Sequence, residues 1–232
     1  MAHRYYGRGI DTGKDEMYND YIKGADIVCF DIYPVNAEEP DVRDKLWLVA
    51  GGVDNLIARS GGKKPVWAWI ETGSINGVNR PSPEQIRSKV WMAVIHGAKG
   101  IGYFMHEFAP VFHEAGLLTD SANAANRAMV SSINRMIAEL APVINSPEMN
   151  CASVTSENSS VPVDIMTREH EGEIYIFAAA MRGAETVTVF TVGSGAGREA
   201  EAVGENRTLA IESGRFTDHF GPFGIHIYRI KK

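Results

Sequence analysis

Glu71 ends the run Pro65-Val66-Trp67-Ala68-Trp69-Ile70-Glu71 and is followed by the small residues Thr72, Gly73 and Ser74. That layout predicts a carboxylate on the rim of a tryptophan-rich pocket. Aromatic rings such as Trp67 and Trp69 stack on the apolar face of a pyranose. A carboxylate beside them attacks the anomeric carbon or stabilises its developing positive charge. Asp31 and Tyr33 close an earlier apolar run, and His106 with Glu107 follows a later one. Each of these residues also has a plainer reading. A strand-end glutamate caps the next loop or pairs with an arginine such as Arg80, and a strand-end aspartate accepts backbone hydrogen bonds. Trp67, Trp69 and Trp91 also serve as core fillers, Trp91 above all because it falls in a helix. His106 and Glu107 have no third ligand at a suitable spacing, so no metal site is expected, and no cofactor is implied.

The elements that must position these groups follow from the apolar periods. Ala25 to Tyr33 is a near-continuous apolar run ended by Pro34, the pattern of a strand covered on both faces. Val42, Leu46, Val49, Val53, Leu56 and Ile57 then recur at helical spacing until Gly61-Gly62. Pro65 to Glu71 reads as a second buried strand. Ser82-Pro83-Glu84-Gln85 opens a helix with a serine cap, a first-turn proline and a glutamine three residues on. Gly100 to Phe104 is a third strand. A last helix carries Met129, Ile133, Met136, Ile137 and Leu140 and is expected to stop before Pro142. Strand and helix alternate three times, the signature of right-handed parallel βα units. Reactive side chains in such architectures gather at the C-terminal ends of the strands, where Asp31, Tyr33, Glu71, His106 and Glu107 fall.

After Pro147 the apolar period changes to two. Six short strands are expected, at 161–168, 173–181, 185–192, 198–203, 208–212 and 223–230, separated by glycine-bearing turns. The fold class is therefore α/β plus all-β: residues 1–145 form a partial (β/α)-barrel with about three βα units, and residues 146–232 an antiparallel β-sandwich.

The chain has 232 residues, 44% hydrophobic and 22% charged, with a formal net charge of −6. No basic stripe is present, which speaks against nucleic-acid binding, and no apolar run approaches the length of a membrane span. Met1 to Gly9 lacks the layout of a signal peptide, so a cytoplasmic location is expected. Cys29 and Cys151 are the two cysteines; two buried free thiols are expected rather than a disulfide.

Three stretches in this order resemble the last three strands of a clan A (β/α)8-barrel glycoside hydrolase, of the family 42 and family 5-like kind. They are Ala25 to Pro34, Lys64 to Glu71, and His96 to Phe104. The run Phe216 to Tyr228 resembles the β-sandwich appended to many such barrels. The resemblance implies that Glu71 is the nucleophile of a retaining mechanism, that Tyr33 hydrogen-bonds it, and that Tyr103 or Phe104 forms part of the sugar-binding floor. The clan's acid/base glutamate follows an asparagine, and this chain has no Asn-Glu dipeptide. A retaining mechanism needs two carboxyl groups about 5–5.5 Å apart, so Asp31 or Glu107 is the expected partner within the chain.

Three βα units cannot close an eight-stranded barrel, and the open edges predict a homo-oligomer. The expected activity is hydrolysis of β-linked O-glycosidic bonds in a carbohydrate substrate, with Trp67, Trp69, Tyr103, Phe104 and His106 lining the site. Two alternatives stand beside it: a carbohydrate-binding module that does not cleave, and an inactive remnant of a longer glycosidase.

Overall fold

The structure, a computed structural model, describes residues 15–193 and 195–232. The expectation drawn from Met1 to Gly9 lies outside them. The chain divides into two compact units, one ending at Ile133 and the other starting at Asn134. The division falls inside a helix, whereas the sequence puts the boundary at residue 145.

In the first unit α1 (Asp15–Lys23) precedes β1 (Val28–Asp31), α2 (Leu48–Arg59), β2 (Val66–Glu71), α3 (Pro83–Ile95) and β3 (Gly100–Phe104). A short helix α4 (Gly116–Thr119), a 3-10 turn (Ser121–Asn123) and the long helix α5 (Ala124–Ile144) follow. The strands form one parallel sheet in the order β1-β2-β3, with Asp31 opposite Trp69 and Glu71 opposite Phe104. The three βα repeats are those the pattern predicts, and the sheet is open rather than closed into a barrel. The cap of α3 is also as read: Ser82 Oγ accepts from Gln85 N, and the Gln85 side chain accepts from Ser82 N. Two boundaries differ. The 42–47 stretch forms turns, and α2 starts at Leu48. Helix α5 runs through Pro142 to Ile144, because a proline in the last turn forfeits a single backbone bond and its ring is tolerated where the helix is about to end.

Alternation divides the sheet into unlike faces. Val28, Phe30, Ala68 and Ile70 are buried, while Cys29 is exposed and Trp67 and Trp69 are each 39% exposed. Strands β1 and β2 are thus covered on one face, not on both as the apolar run predicts. Buried thiols are corrected likewise: Cys29 lies on the bare face and Cys151 is half-buried, both free. The tryptophan rings lie flat across β3, where a Cβ on Gly100 would come 2.5 Å from Trp67 and one on Gly102 2.6 Å from Trp69.

The second unit packs a three-stranded sheet, β10-β7-β4, on a five-stranded one, β5-β6-β11-β8-β9. The ranges are β4 (Ala152–Ser156), β5 (Val163–His170), β6 (Glu173–Ala180), β7 (Thr186–Val192), β8 (Glu199–Ala202), β9 (Arg207–Ala210), β10 (Arg215–Phe220) and β11 (Ile225–Lys231). This is an antiparallel sandwich of eight strands where six were expected; β4 and β10 are the additions. Their alternation is carried by Ala152, Val154, Phe216 and Phe220 among polar residues, a weak apolar signal. The core between the sheets joins Phe190, Phe216, Phe220 and Tyr228 to Ile176 and Ile230.

Candidate functional site

The parallel sheet places the ends of β1, β2 and β3 side by side, and the loops that follow them meet there. Glu71 is fully buried. Its Oε1 accepts from Val35 N at 2.9 Å and from Lys89 Nζ at 2.8 Å. Its Oε2 accepts from Asn36 N at 3.2 Å and from Asn36 Nδ2 at 2.7 Å. Four donors therefore fill the four acceptor positions of the carboxylate. Lys89 comes from α3 and is as deeply buried; burial lowers its pKa, and the neighbouring Glu71 charge opposes that fall.

Asn36 ties two loops together. Its Nδ2 also reaches the Gly73 carbonyl at 3.1 Å, its Oδ1 accepts from Ile75 N at 2.8 Å, and its carbonyl accepts from Asn76 Nδ2. Glu107 is the second enclosed carboxylate. Its Oε1 accepts from Arg80 and from Ser74 N, and its Oε2 from Asn123 Nδ2 at 2.8 Å. Asn126 Nδ2 donates to the carbonyls of Thr72 and Pro81. Burial makes these bonds compulsory, since an unmatched polar group here would cost about 1–3 kcal/mol. Together they fix the loops after β1, β2 and β3 against one another.

On this frame sits an aromatic cluster. The Tyr33 and Phe104 rings meet edge to face at 5.7 Å, and Phe104 and His106 at 5.6 Å. Phe108 lies near-parallel to Phe104 at 5.8 Å, and Phe112 near-parallel to His106 at 6.0 Å. Phe108 and Phe112 close the set at 5.5 Å.

The structure thus brings Tyr33, Phe104 and His106 together, as the sequence suggests. Glu71 and Glu107 are close through the Gly73–Ile75 loop, but each is held in its own cage. Arg80 pairs with Glu107, and the partner of Glu71 is Lys89. Asp31 shares the bare face with Trp69 by register. Tyr103 stands opposite Ile70, on the helix-covered face, and burial pushes its phenol up to about 12. Trp67 and Trp69 lie along the bare face below the strand ends.

Reading the sequence alone misses Lys89, Asn36, Asn123, Asn126, Phe108 and Phe112. Lys89 does leave a trace, since it sits on the apolar side of α3 three residues after Ile86, where a lysine needs a partner. Among the described residues, no three His, Cys, Asp or Glu side chains group so as to hold a metal, and no helix is long and apolar enough to cross a membrane.

No protein-family model matches the chain, and no curated protein matches it in sequence. Solved structures do match in fold. AmyP in complex with maltose superposes with a TM-score of 0.53 at 8% identity, over 94% of this chain and 60% of that one. The α-amylase of Geobacillus thermoleovorans complexed with acarbose gives 0.51 at 8% identity, over 94% and 57%. A family 27 β-L-arabinopyranosidase from Geobacillus stearothermophilus gives 0.53 at 10% identity, over 96% and 48%. The fold is glycosidase-like. At the level of fold the resemblance read in the sequence holds; its finer likeness to families 42 and 5 is not shown by these structures. The chain spans about half to three-fifths of the length of these structures.

Proposed function

We propose that this chain is a glycoside hydrolase acting on O-glycosidic bonds and completed by self-association, with its site at the C-terminal ends of β1, β2 and β3. The observation that carries this reading is the Tyr33–Phe104–His106 ring cluster, set at the strand ends of a glycosidase-like fold. Apolar rings beside carboxylates suit a pyranose, whose C–H face stacks while its hydroxyls remain free to hydrogen-bond.

In the family 42 and family 5-like retaining scheme for β-linked substrates, Glu71 is the nucleophile, Tyr33 its hydrogen-bond partner, and Asp31 or Glu107 the second carboxyl group. Trp67, Trp69, Phe104 and His106 face the sugar. This scheme asks Glu71 to leave Asn36 or Lys89 first, because all four acceptor positions are filled and none of its surface reaches solvent. A second copy of the chain pairing with an open edge of the β1-β2-β3 sheet completes it, since an unpaired strand edge is a template for another chain. Light scattering showing a monodisperse monomer would remove that part.

The closure of Glu71 favours a second reading, in which the platform holds carbohydrate without cleaving it. Hydrolysis of a panel of aryl β-glycosides by the chain and by its Glu71→Gln variant separates the two. Turnover that falls by roughly 10³-fold or more in the variant establishes a catalytic Glu71. Equal rates in both proteins sink the nucleophile assignment. Saccharide binding without turnover, unchanged by the substitution, selects the second reading.

A further inference from the structure

The loop after β3 carries more aromatic surface than a single sugar ring needs. Phe108 and Phe112 are 50% and 56% exposed, and neither belongs to the strand-end cluster that the sequence points to. They extend it outward, so that Tyr33, Phe104, Phe108, Phe112 and His106 form a continuous chain of rings with neighbouring centroids 5.5–6.0 Å apart. We infer that Phe108 and Phe112 are a second sugar-binding position, and that the ligand is a chain of pyranose units rather than a single one. The inference rests on the saccharide reading of the strand-end site.

Three observations carry it. First, the exposed rings are held in place. Glu107 and His113 exchange backbone hydrogen bonds at 3.2 and 2.9 Å, which closes the segment bearing both phenylalanines into a loop. Phe108 N donates to the Ser74 carbonyl at 3.0 Å, and the buried Glu107 side chain fastens the loop base to Arg80, Ser74 and Asn123. Rings held before the ligand arrives lose little entropy on binding. Second, Phe104 with Phe108, and His106 with Phe112, are inclined by only 13° within each pair. Each loop phenylalanine is thus stacked on a strand-end ring and keeps its outer side exposed, an aromatic face on which a pyranose stacks. Third, large exposed aromatic side chains grouped on one surface mark a binding site rather than chance exposure. Their continuity with the strand-end rings gives that site the same ligand chemistry.

The test is binding by calorimetry of two series, xylo-oligosaccharides and malto-oligosaccharides of one to five units. The proteins are the intact chain, Phe108→Ala, Phe112→Ala and the double variant. Affinity is expected to rise from one unit to three in one of the series. The double variant should lose about tenfold or more on the trisaccharide, the scale of removing two interface anchors, and markedly less on the single sugar. A matching thermal melt shows that the variants fold, as the exposure of both rings leads one to expect. A trisaccharide bound no better than its monomer, or bound equally by the double variant, overturns the second position and leaves the strand-end reading standing. No binding of any member of either series by the intact chain overturns both.

Discussion

Lys89 Nζ lies 2.8 Å from Glu71 Oε1, and neither side chain has any exposed surface. A buried pair of this kind is costly to break from one side, because the charge left behind has no water to turn to. Lys89→Met is therefore expected to lower stability by about 3–5 kcal/mol. Glu71→Gln should also be destabilising, and the two together should cost less than the sum of the single effects. Urea denaturation of the four proteins measures this; additive losses would mean that the pair is not coupled.

Glu107 acts on the aromatic loop rather than on solvent. Glu107→Ala strips a partner from Arg80, Ser74 N and Asn123 Nδ2. The expected loss is about 1–3 kcal/mol for the orphaned groups, with faster amide exchange at Phe108 and His113. Hydrogen exchange read by mass spectrometry over residues 105–115 checks it, and unchanged protection would place the loop's anchor elsewhere.

Gly102 leaves room for an indole. A side chain there meets Trp69 at 2.6 Å, so Gly102→Val should cost about 1–3 kcal/mol of overpacking. It should also alter the tryptophan fluorescence of the folded protein, a readout independent of the melt.

The sandwich carries its own acid-sensitive lock. Burial pushes the Asp218 carboxyl up, but the paired bonds from Arg207 at 2.8 and 2.6 Å, the Tyr228 hydroxyl at 2.7 Å and His219 N outweigh it and hold the group below its ordinary range. A carboxyl depressed by folding contributes stability above its unfolded pKa of about 4. That contribution is lost as pH falls through the folded value. Acid unfolding of Asp218→Asn should accordingly show a weaker dependence on pH below about 4 than the parent, measured by circular dichroism.

The alternation of three strands with helices was plain in the sequence because Ala25–Tyr33, Pro65–Glu71 and Gly100–Phe104 are apolar runs bounded by proline and glycine. The capping box at Ser82 was equally plain, being a local signal. Side-chain partners were not. Lys89 reaches Glu71 across 18 positions and Asn36 reaches it across 35, and no local pattern records such pairings. The covering of β1 and β2 on one face escaped for a related reason: an apolar residue such as Trp67 looks the same in sequence whether its face is packed or bare. Phe108 and Phe112 fell in a loop, where neither apolar period applies.

The bare face of the sheet also gives the protein a built-in optical gauge. Trp67 and Trp69 are the most exposed of the four tryptophans, Trp47 is intermediate, and Trp91 is sealed in the core. Indole emission moves to shorter wavelength when water leaves its surroundings. The long-wavelength edge of the spectrum thus reports on the sheet face, and the short-wavelength edge on the interior. A saccharide that settles over β2 will draw the first edge toward the second without any label.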